Sequence, residues 1–150
     1  MKRIWFAIVA LAMAPSAELA AEMVVAHPDD LKWAPASPVL PKGAQMAVLT
    51  GDPSKVGSYV IRIKIPANYQ IPPHWHSTAE NLTVLSGVVN VGMGDRLDKN
   101  KSNQLELGGF IFLPSKMNHF LWTSGPALFQ IHAEGPFDIV YANPKDDPSQ

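Results

Sequence analysis

Three residues near the middle of the chain could do chemistry together. His74 and His76 stand two apart, and Glu80 follows four later, in the stretch NYQIPPHWHSTAENLTVLSG from Asn68 to Gly87. Side chains of a β-strand alternate faces with period 2, so the two imidazoles share one face. Glu80 keeps the same parity and reaches that face if the strand runs unbroken through Ser77–Ala79. Two imidazoles and a carboxylate around one point form a metal site of the 2-His-1-carboxylate type. His119 offers a further imidazole downstream. Taken alone, it reads equally well as a core histidine at a strand end. Either of His74 and His76 alone reads as a hydrogen-bonded surface side chain; the pair with Glu80 does not.

The elements that would position these residues are short strands. Ser58–Ile65 (SYVIRIKI) alternates, with Tyr59, Ile61, Ile63 and Ile65 on one face and Ser58, Val60, Arg62 and Lys64 on the other. That is strand periodicity. Further strands are expected at Gln45–Thr50, Leu82–Leu85, Val88–Met93, Leu105–Leu107, Phe110–Leu113, Asn118–Thr123, Leu128–His132 and Phe137–Tyr141. Ser86-Gly87 makes a hairpin turn between two of them. The polar run Gly94–Gln104 reads as a solvated loop. Turn signals every 8–12 residues, and 14 Pro with 10 Gly, point to an all-β sandwich or barrel.

The 150 residues suit one core. A formal net charge of −1, without a basic stripe or a Gly-rich phosphate loop, gives no case for nucleic acid. Residues 1–21 read as a signal peptide. Lys2 and Arg3 precede the apolar run Ile4–Ala14, which is shorter than the ~20 residues a bilayer span needs. Cleavage after Ala21 or after Ala17 both fit. The protein is therefore expected to be exported, periplasmic or secreted, without a stable membrane anchor; retention of the segment as an anchor is the alternative. With no cysteine, the exported chain has neither disulfide nor thiolate ligand. Residues 22–150 form one domain. A Pro-rich leader (22–43) without regular structure is pinned by Trp33 and Leu40 across the barrel or a partner subunit. The barrel follows (44–142), then a polar tail (143–150). The leader's need for burial predicts a homodimer.

The central stretch resembles the first motif of the cupin superfamily: Gly, five residues, His-x-His, three or four residues, Glu, six residues, Gly. His74, His76, Glu80 and Gly87 fall in register, and Asn68 replaces the opening Gly. The second cupin motif is Gly, five residues, Pro-x-Gly, two residues, His, three residues, Asn. Gly108, Pro114 and His119 match it, with Lys116 in place of Gly and Thr123 in place of Asn. The resemblance implies a double-sheet jelly-roll barrel. It also implies one divalent transition metal ion, such as Mn, Fe, Cu, Ni or Zn, held by His74, His76, Glu80 and His119. On an octahedral ion these four ligands leave two positions for a small-molecule substrate; on tetrahedral Zn²⁺ they fill the sphere. The implied activity is oxidation, dioxygenation, isomerisation or decarboxylation of a small organic molecule, with Glu80 as a base. The alternative is a non-catalytic binding or sensing module with a structural metal.

The remaining candidates read more plainly. His132 is expected to line the interior or support a ligand, and His27 to be exposed. Trp75, of opposite parity to the ligands, should pack outward. Phe110, Phe112, Met117, Trp122 and Phe129 read as core or pocket wall. Arg62 reads as a surface side chain, with pairing to an anionic substrate inside the barrel as the alternative.

Overall fold

The computed structural model describes residues 23–150; the expected signal segment, 1–21, lies outside the described residues. The chain folds into two antiparallel sheets that face one another. One has six strands in the order β1 (Ala34–Pro35), β2 (Gln45–Thr50), β3 (Gly57–Ile65), β10 (Ala127–Gly135), β5 (Glu80–Ser86), β8 (Phe110–Leu113). The other has five: β11 (Val140–Tyr141), β4 (Gln70–Trp75), β9 (His119–Trp122), β6 (Val89–Met93), β7 (Ser102–Leu105). This is the expected all-β jelly-roll architecture.

The core follows from alternation. β3 and β10 pair over their full length, from Ala127 opposite Ile65 to Gly135 opposite Gly57. The inward residues therefore coincide: Phe129 lies beside Ile63, and Ile131 beside Ile61, all buried. Ile71, Val89, Val91 and Leu121 face them from the second sheet. Burying each such side chain contributes about 1.5–3 kcal/mol. Gly92 is required by a close approach. A Cβ there would meet the Phe120 ring at 2.1 Å, and Phe120 is fully buried.

The leader is more ordered than expected. β1 pairs with β2, and a short 3-10 turn spans Pro28–Asp30. Leu40 is buried in the core, and the Lys64 ammonium sits 3.8 Å above the Trp33 ring. The Tyr69 and Tyr141 hydroxyls donate to the Pro41 and Val39 carbonyls at 2.5 and 2.7 Å. Both anchors thus act within their own chain.

Two strand expectations shift. The strand expected at Leu105–Leu107 starts earlier, at Ser102, inside the supposed loop, because Ser102–Gln104 pair with Gly92, Val91 and Asn90. Of Phe137–Tyr141 only Val140 and Tyr141 join a ladder, opposite Trp75 and His74. Residues 136–139 are an irregular strap following Gly135. Asn68 and Lys116, which stand where the resembled motifs have Gly, both adopt left-handed backbone, with φ of 60° and 59°.

Candidate metal centre

β4 and β9 are antiparallel neighbours, and their register puts His74 directly opposite His119. The register is irregular between Ile71 and His74, where Pro72 and Pro73 lack an N–H for the ladder. The His74 and His119 ring centroids are 4.3 Å apart. His76 lies just beyond the end of β4, its ring 5.0 Å from His74 and 5.1 Å from His119. All three are buried, and one ring nitrogen from each lies within 4.8 Å of the other two.

The hydrogen bonds fix which nitrogen is free. The Nδ1–H of His74 donates to the Pro72 carbonyl at 2.7 Å, and that of His119 to the Met117 carbonyl at 3.0 Å. Each histidine thus uses the carbonyl two residues before it. His76 Nδ1–H instead donates across the fold, to the Asp138 carbonyl at 2.5 Å. With the proton on Nδ1, each Nε2 carries a lone pair, the donor a metal takes.

Burial, then the neighbouring imidazoles of His119 and His76, holds His74 well below the usual histidine range, against the Pro72 carbonyl. His119 is lowered to about 4, chiefly by burial. Both are neutral at pH 7, as coordination requires. Glu80 is buried, and burial pushes its carboxyl up against the opposing pull of His76. Its Oε2 lies 3.2 Å from His76 Nε2. Three imidazoles and one carboxyl gathered in the barrel interior fit a divalent transition ion.

Glu80 arrives by a different route from the one parity suggests. The strand ends at Trp75 and the next begins at Glu80, and between them the chain crosses from the five-stranded sheet to the six-stranded one. The carboxylate stands beside His76, outside the mutually close group of three histidines.

The other expectations divide into some that are met and some that are corrected. His132 is exposed on the outer face, its Nε2 3.1 Å from Ser58 Oγ, and does not line the interior. Phe110, Phe112 and Met117 are exposed, Trp122 is half-buried, and Phe129 lines the interior. Arg62 Nε donates to Gln130 Oε1 at 3.1 Å on the outer face. Trp75 is half-buried, and His27 exposed. Asp138, which holds His76, was not among the sequence candidates; the Gly135-Pro136 break marks its segment as irregular.

The sequence matches the profile of a domain of unknown function, DUF4437, over residues 8–140. The chain belongs to the DUF4437 family. Its barrel has the cupin fold, as the solved structures similar to it show. The polyketide cyclase RemF from Streptomyces resistomycificus superimposes with a TM-score of 0.71 at 20% identity, over 85% of this chain and 91% of that one. An RmlC-like cupin from Shewanella frigidimarina NCIMB 400 gives 0.59 at 13% identity, over 76% and 91%. KdgF from Halomonas sp. gives 0.57 at 14% identity, over 77% and 94%. At these identities the likeness establishes the fold of this DUF4437 protein and nothing finer. No curated protein matches it.

Proposed function

We propose that this cupin binds one divalent transition metal through the Nε2 atoms of His74, His76 and His119 with Glu80, and uses it to transform a small, largely apolar organic molecule. The observation that carries this reading is the set of three Nδ1–H donations to backbone carbonyls, which frees each Nε2, on three buried histidines that each bring one ring nitrogen within 4.8 Å of the other two. When bound, such an ion supplies Lewis acidity, and with a redox-active metal electron transfer.

The chain's own residues set the rest. Leu82, Val91, Leu121, Phe129, Ile131 and Ile139 wall the interior, and among the described residues no Lys or Arg lines it. A substrate bearing several charges would find no countercharge there, so a neutral molecule or a monoanion fits best. Glu80, held protonated more readily than an ordinary carboxyl, can exchange a proton with a ligand in the site.

One observation favours the rival reading of a structural ion. The interior cavity is only about 20 Å³, room for a water or an ion. The two readings part in one experiment. Metal-free protein is loaded with Mn, Fe(II), Co, Ni, Cu or Zn in turn and offered small β-diketones and catechols. Turnover that disappears in His76→Ala supports the enzyme. A closed four-ligand Zn site that no small molecule perturbs supports the structural ion.

We also propose export after removal of residues 1–21, tested by the intact mass of the secreted chain. A homodimer is proposed on a new basis. The leader is satisfied within its own chain, whereas Phe110 and Phe112 stand exposed on edge strand β8. Sedimentation of wild type and Phe112→Ser tests it; a monomeric wild type rejects it.

A further inference from the structure

The strap of residues 136–139 lies over His76. The Phe137 ring faces the His76 imidazole at 5.9 Å and meets Tyr59 edge-on at 6.5 Å. Phe137 and Ile139 both line the interior. The strap is tied at few points. Phe137 N–H donates to the Pro53 carbonyl at 2.7 Å. The Asp138 carboxylate accepts the Ser77 N–H at 2.9 Å and the Ser77 hydroxyl. The Asp138 carbonyl accepts the Nδ1–H of His76. One residue therefore grips the crossover loop with its side chain and a candidate metal ligand with its backbone.

We propose that Asp138 is a positioning residue and the latch of this strap: residues 136–139 swing outward to admit a small molecule, and the same movement withdraws the acceptor that orients His76. The proposal rests on the metal reading above. The interior is too small for an organic molecule as it stands, so part of its lining must move. Ile63, Leu82, Val91, Leu121, Phe129 and Ile131 sit within paired strands, where movement breaks ladders on both sides. The strap belongs to no ladder; Leu40, the lining residue on the leader turn, is also outside a ladder, but it is buried and flanked by the tyrosine bonds to Val39 and Pro41, whereas Asp138 and Phe137 are half-buried, so the strap opens at the lowest cost. A supporting group on a ligand histidine typically governs metal affinity by 10–100-fold. Access and affinity are thereby coupled through one residue.

The test compares wild type, Asp138→Ala and the milder Asp138→Asn, all full chains. Two quantities are read: the rate at which EDTA strips Co(II), and amide hydrogen exchange at Ser77 and Phe137 in metal-free protein. The expected result for Asp138→Ala is Co(II) release about 10–100-fold faster. Ser77 exchange should also be about tenfold faster or more, with β3 and β9 amides unchanged. Asp138→Asn, which keeps one acceptor oxygen, should fall between. Wild-type rates of both Co(II) release and Ser77 exchange in Asp138→Ala would overturn the latch. If wild type binds no Co(II), the metal reading fails, and the exchange data still decide whether Asp138 holds the strap. Global loss of protection in Asp138→Ala would shift the decision to Asp138→Asn, where unchanged Ser77 exchange overturns the proposal.

Discussion

The candidate metal centre has two halves built by different means. His74 and His119 are cross-strand partners in the five-stranded sheet, and each donates to a carbonyl two residues back on its own chain. Neighbouring ladders hold them in place, β6 against β9 on one side and β11 against β4 on the other. His76 and Glu80 sit at either end of the sheet-to-sheet crossover. Their orientation depends on each other and on a strap from the far end of the chain. The first half is preorganised by the fold, and the second is adjustable. A site of this kind can keep its ion on the rigid pair while the other two ligands respond to what enters.

The largest expected effect tests that division. His74→Ala or His119→Ala should weaken Co(II) binding by more than the roughly hundredfold that changes to supporting groups cost. His76→Ala or Glu80→Ala should cost less, because part of their binding free energy goes into ordering the crossover. Competition against a coloured chelator reads both. Equal losses in all four would erase the distinction between the halves.

The next effect is on metal-free stability against pH. An unfolded histidine titrates near 6.5. His74 and His119 are held below that value in the fold, so under pH 6.5 the unfolded chain takes up protons that the native chain lacks. Stability must then fall as pH drops from about 6.5, and for His119 the loss levels off at about 4. The His119 share is about 3 kcal/mol, and His74 adds to it with the same sign. Glu80 runs the other way. Its carboxyl is raised, so the native chain holds a proton that the unfolded chain has released, and that contribution grows as pH falls toward 4.5. Glu80→Gln should therefore steepen the acid decline, and should stabilise the metal-free protein at pH 8 by removing a buried charge. Urea titrations from pH 8 to 4 would show it; a Glu80→Gln variant less stable than wild type at pH 8 contradicts this account of Glu80.

The smallest effect concerns the turn before β9. Lys116 N–H donates to the His76 carbonyl at 2.9 Å while its own backbone is left-handed. Lys116→Gly relieves a conformation that costs a side chain about 1–2 kcal/mol, offset by the greater entropy of Gly in the unfolded chain. A thermal midpoint higher by a few degrees is expected, with Co(II) affinity unchanged. Lost affinity would show that the turn, as well as the strap, sets His76.

The rigid half was legible in the sequence because its chemistry coincides with regular structure. The alternation of β3 and the His-x-His spacing at the end of β4 both follow strand periodicity, and the second motif supplied His119. The adjustable half was legible in its residues, His76 and Glu80, but not in its placement. Parity arguments assume a continuous strand, and Glu80 lies beyond a break that moves the chain to another sheet. Phe137–Tyr141 is apolar enough to read as a strand, yet its first three residues cap the barrel. Phe110-Ile111-Phe112-Leu113 is apolar throughout, so no alternation marks which face is inward; register alone decides that Leu113 is buried and both phenylalanines are not. His132 shares its strand with inward Ile131 and Phe129, and the one-residue offset puts it outside.

The most direct test of the central claim is a crystal structure of the Co(II)-loaded protein, with the ion located by anomalous scattering. The account predicts one ion per chain, bonded to the Nε2 atoms of His74, His76 and His119 and to a Glu80 oxygen, with the three Nδ1–H groups still donating to Pro72, Met117 and Asp138. An ion bound through any Nδ1, or by fewer than three of these histidines, or at another place in the chain, would contradict it.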